Sequence, residues 1–135
     1  MGNDDYLYGI PFEAKRIVKF DPTNPDTNST IGEETKGEFY CGNGVLAADG
    51  YIYAVNGVGQ LLKIDTTRNN YTWILDPMNC GGGGWGGPIV GADKCIYWPP
   101  SNANRVLKFD PETRQLPWLV GVTWVQEVGN GRVEL

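Results

Sequence analysis

The chain has 135 residues, 41% hydrophobic and 20% charged, and no apolar run reaches the roughly 18 to 20 residues that span a bilayer. This length and composition fit one folded domain with its own core, and argue against a transmembrane helix or a disordered chain. The net charge of −5 argues against nucleic acid or an anionic membrane as a partner. The absence of histidine removes the commonest general base and zinc ligand.

Three segments of the chain repeat one another at a spacing of 44 or 45 residues. They are YLYGIPFEAKRIVKFDPTN from Tyr6, YIYAVNGVGQLLKIDTTRN from Tyr51 and CIYWPPSNANRVLKFDPET from Cys95. An internal landmark, formed by Asp21, Asp65 and Asp110, gives the same spacing. We therefore predict a single domain of three repeats, over residues 6–50, 51–94 and 95–135.

Four short antiparallel strands, a to d, are predicted in each repeat period, because paired apolar residues alternate and Gly, Pro, Asn or Asp interrupt every run. The predicted strands are a at 45–47 and 88–90, b at 51–55 and 95–98, c at 61–64 and 106–109, and d at 72–75 and 117–120. The tight turns between strands a and b, ending at Gly50 and Lys94, suit positive φ. The chain begins at strand b, so its first repeat has no strand a ahead of it.

The stretch IVGADKCIYWPPSNANRVLKFDPETRQ resembles the repeat of the NHL, YncE-like and streptogramin-lyase-like β-propellers. In that repeat a Gly-x-Asp-Gly turn precedes an apolar strand, a loop and an ending in Arg-x-x-x-Asp-Pro-x-Thr. The resemblance implies an all-β fold of four-stranded propeller blades. It does not imply one function, because these propellers include lyases, lactonases, scaffolds and sugar or peptide binders. The streptogramin lyases use a catalytic histidine, which this chain lacks, so that activity is not predicted.

Three blades are too few for a closed ring, since propellers use four to eight. The chain could be part of a longer propeller or an open array, or two copies could form a homodimeric ring of six blades. The segment GNGRVEL at 129–135 echoes GNGVLAADG at 42–50. It could therefore supply strand a to the first blade, in the same chain or in a neighbour.

Ligands of propellers commonly bind the face formed by the loops that join strand b to c and strand d to a, here called the loop face. The candidate ligand-binding residues on it are Glu13, Arg16, Gln60, Trp85, Asn102, Asn104 and Arg105. Arg16, Gln60 and Arg105 occupy equivalent positions and could donate to a carboxylate, a sugar or a peptide carbonyl. A structural role competes with this interpretation, because each arginine could instead pair with an acid of its own blade.

Two further features have both a functional and a structural interpretation. The glycine-rich stretch 80–87 could cradle a ligand beside Trp85, or it could let the innermost strands approach the axis closely. The recurring Asp21, Asp65 and Asp110 are expected to form turns, because a catalytic acid is normally unique. A metal site involving Glu33, Glu34 and Glu38 is an alternative, but no catalytic residue, metal ligand or cofactor is predicted.

The predicted function is a non-catalytic propeller module that binds a peptide, glycan or small molecule on its loop face. The alternatives are a metal-dependent lactonase or hydrolase, and a truncated propeller without its own activity.

No signal peptide is recognisable, which favours an intracellular location. Cys41, Cys80 and Cys95 match no metal or redox spacing and are expected to be buried or free thiols. The glycosylation sequons at Asn28 and Asn70 occur at the frequency expected by chance.

Overall fold

Three antiparallel sheets make up the computed structural model, which describes residues 1–2, 4–34, 41–57, 59–74, 84–103, 105–113 and 118–120. The first sheet contains β1 (Leu7–Gly9), β2 (Ile17–Phe20) and β3 (Asn28–Ile31); the second contains β4 (Cys41–Leu46), β5 (Ile52–Asn56), β6 (Leu61–Asp65) and β7 (Asn70–Trp73); the third contains β8 (Ile89–Val90), β9 (Ile96–Trp98), β10 (Val106–Phe109) and β11 (Trp118–Val120). In each sheet the strands lie in chain order. The described residues include no helix, and hence no helix able to cross a membrane. The predicted all-β architecture is confirmed.

The sheets are out of phase with the sequence repeats, as predicted. The fourth strand of the first repeat, β4, pairs with β5 of the second repeat, where Val45 lies opposite Tyr53. The first sheet accordingly holds three strands in the described part of the chain. The second and third sheets therefore each take their strand a from the repeat before.

The first residue of a strand differs from the predicted one by more than one position at two places. Strand a of the second sheet begins at Cys41 rather than 45, because a bulge between Cys41 and Gly44 lets the chain keep its pairing with β5. Strand d begins at Asn70 rather than 72. The reason is that Asn69 takes a positive φ of 54°, which closes the preceding turn early.

The second sheet buries both of its faces. Alternate residues of β5 point to opposite sides, so that Ile52 and Ala54 pack towards the first sheet and Tyr53 and Val55 towards the third. The first cluster contains Ile17, Ile31, Cys41, Ile52, Ala54, Leu62 and Ile64. The second contains Ala47, Tyr53, Val55, Leu61, Ile96, Trp98, Leu107 and Phe109. The core therefore consists of two layers, one between each pair of neighbouring sheets.

The outer face of the first sheet is apolar and exposed. Leu7 lies opposite Phe20 and Gly9 opposite Val18, so these side chains share one face. The same register places Ile52 opposite Ile64 in the second sheet and Ile96 opposite Phe109 in the third, and all four of those residues are buried. Leu7 and Val18, by contrast, are each 39% exposed.

The cysteines that the structure describes are buried, as expected. These are Cys41 and Cys95, while Cys80 lies outside the described residues. Burial raises the pKa of the Cys41 thiol to about 12. Cys41 is therefore a packing residue rather than a reactive thiolate.

Candidate functional site

The first sheet carries two of the predicted ligand-binding residues. The Arg16 guanidinium contacts a carboxylate oxygen of Glu34 at 3.1 Å, and both side chains are about half exposed. Glu34 therefore stands beside a loop cation, the Glu33 carbonyl accepts the Tyr71 hydroxyl at 2.9 Å, and Glu38 lies outside the described residues. Glu13 is exposed. The structural alternative for Arg16, pairing with an acid of its own blade, is the arrangement observed.

In the second sheet, Gln60 closes the loop between β5 and β6. Its backbone N–H donates to Asn56 Oδ1 at 2.8 Å, and its side-chain oxygen accepts from Asn56 Nδ2 at 2.7 Å. The Asn56 N–H also donates to the Gln60 carbonyl at 3.1 Å. These bonds satisfy the buried Asn56 side chain. Both oxygens of Gln60, in the backbone and in the side chain, therefore accept hydrogen bonds from Asn56 within the loop.

The third sheet brings three predicted residues together on the loop face. Trp85 Nε1 donates to the Arg105 carbonyl at 3.0 Å. The backbone N–H groups of Ser101, Asn102 and Ala103 all lie within 3.0 to 3.1 Å of the Gly84 carbonyl. These bonds fix the Trp85 ring against the loop that carries the exposed Asn102 and Arg105. Asn104 lies outside the described residues.

The innermost segments of neighbouring sheets approach one another closely. The Cys41 N–H donates to the Pro11 carbonyl at 3.3 Å, linking β4 to the loop after β1. A Cβ atom on Gly44 would lie 3.2 Å from Ile10, and one on Gly87 would lie 3.4 Å from Asn43 Nδ2. Gly44 and Gly87 therefore permit close approach, as the structural interpretation of the glycines predicts for this region.

Turns, not a metal, account for the recurring aspartates. A carboxylate oxygen of Asp21 accepts the Thr23 N–H, that of Asp65 accepts the Thr67 N–H, and that of Asp110 accepts the Glu112 N–H, at 2.8 to 3.0 Å. The turn-forming interpretation is confirmed. In the described part of the chain, no group of three or more Cys, Asp or Glu residues could hold a metal ion.

A second recurring set, which the sequence analysis did not identify, lies at the opposite end of the sheets, here called the turn face. It consists of an Asp in the a–b turn, a Tyr on strand b and a Lys on strand c. The three sets are Asp4, Tyr8 and Lys19; Asp49, Tyr53 and Lys63; and Asp93, Tyr97 and Lys108. In each set the Tyr hydroxyl donates to the Asp carboxylate, and the Tyr and Lys lie opposite each other. The sequence signal is an Asp followed by Tyr four residues later and Lys 14 or 15 residues later.

The electrostatics of the first triad follow from its contacts. Lys19 Nζ lies 2.7 Å from Asp4 Oδ2. Burial acts to raise the pKa of Asp4, but the hydrogen bonds from Lys19 and Tyr8 outweigh it and hold the pKa below its ordinary value. Burial likewise acts to lower the pKa of Lys19, and its bonds to Asp4 and Tyr8 raise that pKa overall. The ionised pair is therefore the favoured state.

The third triad is more exposed to solvent than the first, but the pKa of its aspartate is shifted in the same direction. The hydrogen bond from the Tyr97 hydroxyl lowers the pKa of Asp93, and the same bond raises the pKa of Tyr97. Lys108 Nζ lies 3.6 Å from the carboxylate of Asp93. Asp93 and Lys108 thus also form an ion pair across the turn face.

No protein-family model matches the chain, and no curated protein matches it. Two solved structures are similar to it. The chain folds as β-propeller blades. One of these propellers is the virginiamycin B lyase from Staphylococcus aureus, with a TM-score of 0.69 and 13% sequence identity, covering 90% of this chain and 39% of the lyase.

The other similar propeller is a streptogramin B lyase, with a TM-score of 0.65 and 16% identity, covering 87% of this chain and 37% of that protein. The chain thus spans about two fifths of the length of the propellers it matches. At these identities the likeness shows the fold alone.

Proposed function

We propose that this propeller unit is a non-catalytic binding module of the NHL, YncE-like or streptogramin-lyase-like kind. It would recognise a glycan, a peptide or a small molecule through Trp85, Asn102 and Arg105. The observation that carries the proposal is the position of Trp85. Its indole N–H is bonded to the Arg105 carbonyl, which holds the half-buried ring beside two exposed polar side chains.

The chemistry of this cluster suits a ligand with a flat or ring-shaped apolar face and hydrogen-bonding groups at its edge. An indole supplies a stacking surface at little cost in conformational entropy. The Arg105 guanidinium makes no ion pair within the described residues, whereas the equivalent Arg16 is bound to Glu34. Arg105 therefore keeps its donors for a carboxylate, a sugar hydroxyl or a peptide carbonyl.

Arrays of immobilised glycans and short peptides test this proposal directly. For the best-retained probe, Arg105→Ala should weaken binding at least about tenfold, since charge-assisted hydrogen bonds are among the stronger polar contacts. Arg16→Ala is the matched control and should change affinity less than about twofold, because that side chain is already paired. Equal losses in both variants, or retention of no probe, would contradict the proposal.

An enzymatic role is the second candidate, because both similar propellers are lyases. Incubation with virginiamycin B followed by mass spectrometry tests lyase activity, and thermal melts with Ca²⁺ against matched NaCl test the metal-dependent alternative. We expect unchanged virginiamycin B and no Ca²⁺-specific rise in melting temperature, because Asp21, Asp65 and Asp110 are engaged in turns. Turnover, or a saturable Ca²⁺ effect, would replace the binding proposal.

We also propose that two copies of the chain join into a six-bladed ring. The support is the exposed apolar face of the first sheet, whose residues hold the register positions that are buried in the other two sheets. In this ring, the third sheet of one copy would cover the exposed face of the first sheet of the other copy. Within one chain, the first sheet covers the corresponding face of the second sheet in the same way. Two such contacts related by a two-fold axis close the assembly.

A further inference from the structure

A cleft between the second and third sheets opens near the turn face, away from the loop-face cluster. Its volume is about 570 Å³, within the range of small-molecule sites. It is lined by Asp49, Tyr51, Tyr53, Lys63, Thr72, Ile74, Phe109, Pro111 and Glu112. Two smaller depressions of about 260 and 210 Å³ share Tyr51 with it.

The triad of the second sheet is open where the other two are closed. Lys19 and Lys108 each approach the Asp of their own triad, at 2.7 and 3.6 Å. Lys63 instead lies over the Tyr51 ring, 3.8 Å from its centroid, and makes no ion pair with any described residue. The cleft wall thus carries an ammonium group that is not neutralised by the neighbouring carboxylate.

Asp49 keeps the rest of the triad geometry. Its carboxylate accepts the Tyr51 N–H at 3.1 Å and the Tyr53 hydroxyl at 2.7 Å. Lys63 lies directly opposite Thr72 across the sheet, so the Thr72 hydroxyl stands on the same face as the ammonium. One wall of the cleft therefore presents an anion, a cation and a hydroxyl group.

The opposite wall comes from the end of β10 and the turn after it. Phe109 and Pro111 are buried and apolar, and the exposed Glu112 adds a second carboxylate. The position equivalent to Glu112 in the second repeat is Thr67, so the cleft between the first two sheets has no such acid. Among the described residues, the cleft between the second and third sheets thus combines an ammonium group outside any ion pair with two carboxylates and an apolar floor.

We propose that the cleft binds a small zwitterion, namely a free α-amino acid with an apolar side chain. Its ammonium group pairs with Asp49 and Glu112, and its carboxylate pairs with Lys63 and Thr72. Its side chain lies against Ile74 and Pro111. A ligand with both charges replaces the Lys-to-Asp contact of the other triads, whereas a singly charged ligand would pair with either the lysine or the carboxylates but not with both.

Three related probes separate these possibilities: L-phenylalanine, phenethylamine, which lacks the carboxylate, and 3-phenylpropionate, which lacks the ammonium. Calorimetry or chemical-shift titration should show that phenylalanine binds about tenfold or more tightly than either analogue, as charge-assisted bonds at both ends require. Equal affinity for phenylalanine and one analogue would overturn the zwitterion assignment. So would the absence of saturable binding at about 10 mM phenylalanine.

Two substitutions assign each charge of the ligand to its partner in the cleft. Lys63→Gln should lower phenylalanine affinity about tenfold and leave phenethylamine unchanged, while Asp49→Asn should lower phenylalanine affinity and leave 3-phenylpropionate unchanged. Lys108→Gln is the matched control, because it removes the equivalent lysine from a triad outside the cleft. Circular dichroism confirms that each variant is folded. Unaltered binding in Lys63→Gln, or equal losses in Lys63→Gln and Lys108→Gln, would contradict the proposal.

Discussion

Asp4, Asp49 and Asp93 each join a turn to the strand that follows it. One carboxylate oxygen accepts the backbone N–H two residues on, and the other accepts a tyrosine hydroxyl four residues on. The turns also place a residue at positive φ, which is Asp5 in the first sheet, Gly50 in the second and Lys94 in the third. A single carboxylate therefore orients both the turn and an aromatic side chain of strand b.

The charge of Asp4 should stabilise the fold in a pH-dependent manner. Asp4→Asn keeps one acceptor oxygen, replaces the other with an NH2 group that cannot accept, and removes the ion pair with Lys19, so we expect a loss of about 1 to 2 kcal/mol near pH 7. The pKa of Asp4 is lowered in the folded chain, so this contribution is present above about pH 4 and disappears as the pH falls through the folded value. The raised pKa of Lys19 keeps the pair ionised up to strongly alkaline pH.

Urea denaturation of the wild type and Asp4→Asn at pH 7 and pH 3 measures this difference. Asp5→Asn is a suitable control, because Asp5 is exposed and asparagine tolerates its φ of 62°. A stability difference that stays constant between the two pH values would show that the Asp4 charge is not responsible.

Residue roles could be predicted from the sequence only where the role is local. The turn function of Asp21, Asp65 and Asp110 follows from their recurrence, because an Asx turn involves only the next two or three residues. The Asp–Tyr–Lys triads were not found, because Lys19 meets Asp4 only through the register of β1 against β2. The sequence predicts that Arg16 pairs with an acid of its own blade, but it does not predict that this acid is Glu34.

At the scale of elements, the strands follow from the repeat period and their ends follow from backbone geometry. Strand c occupies 106–109 as predicted, because the apolar alternation there is uninterrupted. Strand a of the second sheet starts four residues early, since a bulge at Cys41 to Gly44 cannot be recognised from alternation alone. The loop-face cluster also depends on a backbone detail, the Gly84 carbonyl that accepts from the third-sheet loop.

Asn69 is the residue that sets where β7 begins, so its replacement should weaken the second sheet. Asn69→Ala should cost about 1 kcal/mol, because a β-carbon without a polar group disfavours the left-handed φ of 54°. Asn69→Gly should be neutral or nearly so, because glycine adopts this conformation freely. Thermal melts of the two variants measure the difference. An alanine variant as stable as the glycine variant would mean that the turn relaxes without strain.

At the scale of the whole molecule, the exposed first-sheet face determines the expected assembly. Light scattering behind size exclusion should give twice the 14.9 kDa of the chain. Val18→Lys should reduce the mass to that of one chain without unfolding it, because a charge placed on this face opposes its burial. Ala48→Lys, in an exposed turn, should leave the mass unchanged. A folded wild-type monomer would contradict the proposed ring.

The phase difference between repeats and sheets also governs how the molecule opens. Because β4 is joined by the chain to the first repeat and by hydrogen bonds to β5, the first two sheets share one continuous stretch of chain. Loss of the second sheet would release the anchor of the first, and the buried layer that contains Ile17 and Ile64 would hydrate at the same time. The slowest-exchanging amides of the two sheets should therefore become accessible together, as one cooperative unit rather than sheet by sheet.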